Sequence, residues 1–207
     1  MASQEPTSFP ETGPSAAETG ERLRHRRQEL GISARELARR VSLSASLISQ
    51  IERGSTMPSV ASLYAIVSEL GLSLDELFSL DGNADSAPRT PPPPDPVVRA
   101  SERESLTLAS GVHWQRLTRN TDPRADFHYL VYEPGGASCD EGVLVRHAGH
   151  EYGHVISGRL HVTLGFSEHE LGPGDSISFD SAQPHRLATV GDEPVHAVWV
   201  VVGRVEP

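Results

Sequence analysis

The chain has 207 residues, 37% of them hydrophobic, one cysteine and a formal net charge of −10. This length allows two small domains. No apolar run is long enough to predict a membrane span, and the N-terminus lacks the charged-then-apolar pattern of a signal peptide. The single Cys139 excludes an internal disulfide framework and fits a reducing compartment, so we expect a cytoplasmic protein. The charge is unevenly distributed along the chain. Residues 20–55 contain eight Arg and four Glu, whereas residues 101–207 contain eight Arg and fifteen Asp or Glu. We therefore expect any nucleic acid to bind to the first of these segments.

The N-terminal segment predicts a tail followed by a first helix. Residues 1–18 mix Ser, Thr, Pro, Glu and Gly without hydrophobic periodicity, which predicts disorder. Residues 20–30 predict a helix that Gly31 ends. Ser33 and Glu36 then form the pattern of a capping box, which predicts the start of a second helix.

A hydroxyl-rich, nearly uncharged third helix follows. Ser44 is a good N-cap, Leu47, Ile48 and Ile51 share one face, and Gly54 is suited to end the helix. Small side chains on the opposite face allow close approach to base edges, Gln can pair with adenine, and Ser can contact several bases. Phosphate contacts are expected from the flanking residues and helix amides. We assign DNA contacts to Ser33, Ala34, Ser44, Ala45, Ser46, Ser49, Gln50, Arg53 and Ser55.

Two further helices complete this domain in the prediction. Ser59 and Gly71 mark the start and end of a fourth helix, and residues 73–80 predict a fifth. Residues 20–80 resemble the Xre-type, phage-repressor-like DNA-binding domain, with the S-x-I-E-R-G signature at the end of the third helix. The resemblance implies a five-helix helix-turn-helix domain, assigned to residues 19–80, whose third helix reads bases. A helical hairpin that only packs is the alternative.

The second half of the chain predicts β structure. Residues 81–100 are rich in Pro and predict a semi-rigid linker. After residue 100, short β-branched segments are separated by Gly, Pro, Asp and Ser, which predicts a β-sandwich or barrel. The predicted strands cover residues 112–118, 126–133, 142–147, 152–157, 159–165, 176–179, 185–190 and 195–203.

Two segments within this half resemble the two motifs of the cupin barrel. Glu151 and Gly158 have the E-x(6)-G spacing of the first motif, and Gly174 and His185 match the ends of the second. The departures from the family pattern are Val145, Asp180, Ala182 and Thr189. The resemblance implies a double-stranded β-helix, or jelly-roll, over residues 101–207, and the chain as a whole would be a multi-domain α + β protein.

Three residues match metal-binding positions of the cupin family: His147, Glu151 and His185. The resemblance implies a divalent metal such as Fe, Zn, Mn or Ni, since two imidazoles and one carboxylate suit these ions. A polar pocket without metal is the alternative. An effector pocket is assigned to His128, Tyr129 and Tyr132, of which the first and third share one face of a strand and Tyr129 takes the other.

The favoured function is a homodimeric transcriptional regulator. Two reader helices would enter successive major grooves of a roughly palindromic double-stranded operator, and the barrel would bind a small-molecule effector, with or without a metal. The alternative is a mononuclear non-haem iron oxidoreductase, because the His-x(3)-Glu…His pattern behind an Xre-type domain is also similar to hydroxypropylphosphonic acid epoxidase. No membrane contact is expected.

Overall fold

The computed structural model describes residues 13–72, 74, 77, 95–119, 122 and 124–203. The α-helices with described bounds are α1 (Ala16–Glu29), α2 (Ala34–Arg40), α3 (Ala45–Glu52) and α4 (Val60–Leu70). The strands are β1 (Ser105–Leu108), β2 (Val112–Arg116), β3 (Ala125–Tyr132), β4 (His150–Ser157), β5 (Leu160–Leu164), β6 (Ser167–Leu171), β7 (Ser176–Asp180), β8 (His185–Thr189) and β9 (Val195–Val202). The predicted linker over residues 81–94, and the predicted fifth helix apart from Leu74 and Leu77, lie outside the described residues.

The first helix begins earlier than the sequence analysis predicts. Ser15 Oγ accepts a hydrogen bond from the amide of Glu18, and the Glu18 carboxylate accepts one from the amide of Ser15 at 2.8 Å. This capping box lies inside the segment predicted to be a disordered tail, so the prediction is wrong for residues 15–18. The composition argument overlooked a local start signal. Residues 1–12 lie outside the described part of the chain.

The helix-turn-helix pair forms as its caps predict. The Oγ atoms of Ser33 and Ser44 accept hydrogen bonds from the amides three residues on and begin α2 and α3. Glu36 differs from the expectation, because its carboxylate binds two arginines of its own helix. Gly54 and Gly71 follow α3 and α4 with φ of +68° and +62°, the left-handed conformation that stops a helix.

A buried ion pair ties α1 to the end of α3. Arg27 donates from Nε to Oε1 of Glu52 at 2.6 Å and from Nη2 to Oε2 at 2.8 Å. Its Nη1 donates to the carbonyl of Ile32 at 2.6 Å. Glu52 is the acidic residue of the S-x-I-E-R-G signature, and in this structure it holds the third helix against the first. The apolar core beneath this pair includes Leu23, Leu37, Ile48, Ile51, Leu63, Ile66, Val67, Leu70, Leu74 and Leu77.

The second half of the chain is a β-barrel of two antiparallel sheets, with strand orders β1-β2-β3-β9-β4-β7 and β6-β5-β8. The residues of β4 and β9 alternate between buried and open positions, so one face of each strand lines the barrel interior. The sequence analysis missed β1 and also β6, whose polar residues are mostly exposed. It was wrong at residues 142–147, where a loop contains a single bridge between Val145 and His185.

The two domains touch through the first turn of α4. The amide of Ala61 donates to the carbonyl of Ser138 at 2.9 Å, and the amide of Ala109 donates to the carbonyl of Pro58 at 3.2 Å. These bonds hold α4 against the barrel, and Tyr64 is buried there. Among the helices of the described ranges, none has the length and apolar character that a bilayer crossing needs.

Candidate DNA-reading surface and candidate metal centre

The open face of α3 is short and uncharged. Ala45, Ser46 and Gln50 are exposed and Ser49 is half-buried, whereas Ile48 is buried on the opposite side of the helix. These side chains stay open to solvent while the cupin domain is docked. A face of small and amide side chains at the surface can approach base edges in a major groove.

The predicted flanking contacts also lie at the surface. Ser33, Ser44, Arg53 and Ser55 are exposed, and Ala34 is half-buried. The hydroxyl oxygens of the two cap residues already accept hydrogen bonds from helix amides. Their hydroxyl protons remain available to donate, so a cap and a phosphate contact are compatible at the same serine.

Six of the eight arginines at residues 20–55 divide into two groups; of the other two, Arg22 donates to the carbonyl of Leu77 and Arg24 is exposed on α1. Those paired with glutamates are Arg26, Arg27, Arg39 and Arg40. Arg35 on α2 and Arg53 after α3 are exposed, and neither forms an ion pair with another described residue. The second group keeps its charge available for a phosphate. The sequence analysis did not assign Arg35, because an exposed charge on a helix has no distinctive local signal.

Three predicted metal-binding side chains meet inside the barrel. His147 lies in the loop before β4, Glu151 lies on β4, and His185 is the first residue of β8. The Nε2 atoms of His147 and His185 lie 3.0 and 3.3 Å from Oε1 of Glu151, and the three side chains are at most 4% exposed. One ligand atom from each residue lies within 4.8 Å of the others. The spacing of the cupin motifs therefore identified residues that converge.

The hydrogen bonds of the two imidazoles assign their protons. Nδ1 of His147 lies 3.0 Å from the carbonyl of Ala148, and Nδ1 of His185 lies 2.8 Å from the carbonyl of Gln183. A carbonyl can only accept, so each Nδ1 donates and each Nε2 of a neutral ring presents a lone pair. Oε1 of Glu151 also presents lone pairs and has no hydrogen-bond partner among the described residues. Three buried acceptors without a donor between them fit a divalent cation.

The pKa values are consistent with this assignment. Burial lowers the pKa of His185 below its ordinary value, although the Glu151 carboxylate acts in the opposite direction. Burial alone would raise the pKa of Glu151, but the neighbouring imidazoles in their protonated forms, together with the Trp199 hydrogen bond, hold it below its ordinary value. At neutral pH the site therefore contains a neutral His185 imidazole beside a carboxylate.

A tryptophan holds the second oxygen of Glu151. Trp199 on β9 donates from Nε1 to Oε2 at 2.7 Å within the buried interior. Its ring fills the space beside Gly153, where an added Cβ would lie 2.0 Å from the ring. Since metal-binding groups depend on their hydrogen-bond partners for orientation, Trp199 fixes the direction in which Oε1 points.

A cavity of about 20 Å³ adjoins the three side chains, and its walls include His128 and Tyr132 from β3. Tyr129 lies on the other face of β3, where its hydroxyl is 3.1 Å from Nδ1 of His196. Tyr129 therefore does not line this cavity, as strand alternation separates it from the other two residues. Val145, which replaces a family histidine, contributes an apolar wall to the same cavity.

Two family models match the chain. The helix-turn-helix model matches residues 23–77, and the cupin domain model matches residues 128–201. The chain therefore combines an Xre-type helix-turn-helix domain with a C-terminal cupin domain. The transcriptional regulator PuuR of Escherichia coli strain K12 is 29% identical over 171 residues, which cover 82% of this chain and 86% of that protein. The regulator SutR of the same organism is 24% identical over 174 residues, or 84% and 88% of the two chains.

One solved structure is similar in fold over most of both chains. A helix-turn-helix family transcriptional regulator from Vibrio cholerae superposes with a TM-score of 0.67 at 24% identity, covering 91% of this chain and 96% of that one. This similarity supports the fold. Hydroxypropylphosphonic acid epoxidase from S. wedmorenis matches at 19% identity and a TM-score of 0.43, covering 93% of this chain and all of that one, which does not bear on activity.

Two site residues of this helix-turn-helix–cupin protein escaped the sequence analysis. Trp199 was interpreted as a core residue and not as part of the site, although a buried tryptophan usually requires a partner for its Nε1. Tyr64 was not assigned either, yet its ring stacks on the His147 imidazole with centroids 4.2 Å apart. Its position beside the apolar stripe of α4 was the available signal for burial, but no local pattern reveals a contact between domains.

Proposed function

We propose that the protein is a DNA-binding transcriptional regulator whose third helix enters the major groove. The observation that carries the proposal is the exposed, uncharged face of α3, formed by Ser46, Ser49 and Gln50. Gln50 would make two hydrogen bonds to adenine and the serines would contact neighbouring base edges. The relatives named as transcriptional regulators, matched over most of their length, support the same function.

The phosphate contacts would come from both sides of α3. Arg53 and Ser55 follow it, and Arg35 and the amides at the start of α2 precede it across the turn. Such contacts fix the orientation of the reader helix without reading sequence. Because so few arginines are free of ion pairs, one domain would bind DNA weakly, and a stable complex would need two copies.

A second copy of the chain would dock on the outer face of the six-stranded sheet. Phe127, Val200 and Tyr152 form one row across three strands, since Val200 pairs with both of the others. Phe127 and Tyr152 are 37% and 49% exposed, and a contiguous apolar row of this kind is typical of a protein–protein contact. The dimer would place two reader helices about 34–36 Å apart on a palindromic operator. Light scattering measures the molar mass of the Tyr152→Glu variant, which we expect to be a monomer. An unchanged dimer would mean that the interface lies on another surface.

The cupin domain would sense a small molecule through a divalent metal. His147, Glu151 and His185 would hold the ion, and the open side of the ion would supply positive charge for a donor atom of the effector. The convergence of three buried acceptors supports this role. Elemental analysis of protein purified without chelator tests it: metal near one equivalent supports a metal-dependent sensor, and a metal-free folded protein supports a metal-free pocket.

One catalytic alternative is supported by the donor set itself. Two histidines and one carboxylate also form the site of non-haem iron oxygenases. Iron content together with oxygen-dependent turnover of a small molecule would favour that alternative. A regulator would instead bind DNA and change its affinity when an effector is added.

The deciding experiment is a gel shift with duplex DNA from upstream of the protein's own coding sequence. Specific binding that survives competitor DNA is expected for the full-length protein. The Gln50→Ala variant should lose part of this specificity, at one base position, whereas Gln28→Ala, at an exposed glutamine on α1, should keep all of it. Equal binding of specific and unrelated duplexes by the native protein would overturn the proposal.

A further inference from the structure

The DNA-binding domain supplies one wall of the cavity in the cupin barrel. The ring of Tyr64 stacks parallel to the His147 imidazole, with centroids 4.2 Å apart and an interplanar angle of 3°. Its edge meets Trp114 at 5.5 Å. Val60, one turn earlier on α4, lines the same cavity. The site in the barrel is therefore closed by side chains from the other domain.

The closed cavity is too small for an organic ligand. Its volume of about 20 Å³ has room for one water molecule or one ion. Outside it, a cleft of about 730 Å³ opens between the two domains. Tyr64 and Val145 line both spaces, so the tyrosine ring separates the cleft from the cavity. Ligand sites for small molecules commonly have the volume of the cleft rather than that of the cavity.

We propose that Tyr64 is a gate, which must leave its place against His147 before a small molecule larger than water can contact the His147–Glu151–His185 site. The path would run through the interdomain cleft, whose walls carry both charge signs, with Arg40, Glu69, Asp140 and Arg146. A ligand of matching chemistry is polar and zwitterionic or anionic, with an oxygen or nitrogen donor for the metal. This inference rests on the proposed sensing function of the barrel.

The position of the gate makes access and domain docking compete. Tyr64 belongs to α4, whose first turn is bound to the barrel by the Ala61–Ser138 backbone hydrogen bond. A ligand that binds only when the ring is displaced favours an arrangement in which α4 has moved away from the barrel. By linkage, whatever holds α4 against the barrel lowers the apparent affinity of that ligand by the same factor. Effector binding would thereby change the position of the reader helices without a separate relay.

Acylation of histidine by diethyl pyrocarbonate tests the gate without knowing the effector. The reagent attacks a neutral imidazole nitrogen, and in His147 this is Nε2, which faces the closed cavity. Full-length protein would be treated with EDTA, so that no metal shields the ring, and modification rates of individual histidines would be followed by peptide mass spectrometry. His154 and His169 are exposed and report the reagent's activity.

We expect His147 to react slowly in the native protein and roughly tenfold faster or more in Tyr64→Ala, because the rate follows the open fraction. Tyr64→Phe keeps the ring and should protect His147 as the native residue does. Ala61→Arg places a bulky side chain at the domain contact, outside the cavity lining, and should also expose His147. The exposed Ser68→Ala, on the same helix, is its matched control.

Two results would overturn the gate. One is a native His147 that reacts as fast as His154, and the other is a His147 that stays protected in a folded Tyr64→Ala variant. If that variant loses its native circular dichroism, Ala61→Arg decides. Continued protection of His147 in Ala61→Arg, with faster amide exchange over residues 58–66, would show that access does not depend on docking. If the protein failed to bind DNA in the gel shift but His147 showed the expected modification rates, the regulator proposal would fail and the gate would stand.

Discussion

The indole of Trp199 holds the buried carboxylate of Glu151 through a hydrogen bond of 2.7 Å from Nε1 to Oε2. The bond joins β9 to β4 and leaves Oε1 facing the imidazoles of His147 and His185. Groups behind a metal-binding carboxylate fix its orientation and its charge. The orientation of the Glu151 carboxylate therefore depends on Trp199, a residue that cannot itself bind a metal.

Removing the indole donor should weaken metal binding while leaving the ligands in place. For Trp199→Phe we expect Zn²⁺ affinity to fall by about 10- to 100-fold, the range found when the partner of a metal ligand is lost. A competition titration with a chelating dye measures this. Trp114→Phe is the matched control, since Trp114 lines the same cavity and its Nε1 has no hydrogen-bond partner among the described residues. If Trp199→Phe and the native protein bound Zn²⁺ with equal affinity, the orientation of the Glu151 carboxylate would not depend on the indole hydrogen bond.

Glu151→Gln should abolish metal binding yet stabilise the metal-free protein. The amide group puts a donor where Oε1 now faces two lone pairs, so one unfavourable acceptor contact becomes a hydrogen bond. We expect a gain of about 1–3 kcal/mol in the free energy of unfolding without metal, measured by urea denaturation. The exposed Glu141→Gln serves as control. A loss of stability would mean that an imidazole Nε2–H already donates to Oε1 of Glu151.

Breaking the Arg27–Glu52 pair should destabilise the helical domain. The two side chains are 11% and 9% exposed, so Arg27→Met leaves a buried carboxylate without its partner. The expected loss in unfolding free energy is about 3–5 kcal/mol, and denaturation followed by circular dichroism would detect it. Arg24→Met, at an exposed position of the same helix, should change stability by less than about 0.5 kcal/mol. Similar losses for both variants would contradict a specific role for the pair.

Base and phosphate contacts should respond differently to substitution. Gln50→Ala should cost about 1–3 kcal/mol and relax the preference at one base position. Arg53→Ala should weaken all duplexes alike and reduce the slope of log affinity against log salt by about one. Fluorescence anisotropy with a set of single-base variants, at several salt concentrations, separates the two. If Gln50→Ala lowered the affinity for all duplexes equally, Gln50 would contact the DNA phosphate backbone and not a base.

His196 should make stability depend on pH. Burial lowers its pKa below the ordinary value of 6.5, although Glu133 acts in the opposite direction. Between the folded pKa and 6.5 the unfolded chain binds a proton that the folded protein does not, so stability rises with pH. The contribution is fully present above 6.5 and is lost as the pH falls through that window. Urea midpoints across the window should vary less in His196→Gln than in native protein, while His169→Gln, at an exposed position, should follow the native profile.

The helical domain could be predicted from the sequence because its signals are local. Ser44 and Ser59 cap helices at short range, and the apolar stripe of α4 repeats within a few turns. The three predicted metal-binding residues could be identified for a different reason, because their spacing matches a family motif. The start of α1 was missed only because composition was given more weight than a cap at Ser15.

The remaining errors concern contacts that are distant in sequence or segments that depart from alternation. Trp199 and Glu151 are 48 residues apart, and only the register of β4 with β9 brings them together. The loop that contains Val143 and Leu144 has apolar residues, but these are 48% and 37% exposed, so hydrophobicity there did not mean a strand. The contact of Tyr64 with His147 depends on how two domains meet, which no periodicity encodes.

Of the three metal-type residues, His147 alone lies in a loop, with its imidazole supported on one side by Tyr64 of the other domain. An ion bound at Nε2 would immobilise that ring and give the tyrosine a rigid surface to rest on. Loading of the barrel would thus also tighten the joint between the two halves of the protein. In a cell starved of the ion, the halves would be more loosely joined, and the protein would report metal supply even before any effector arrives.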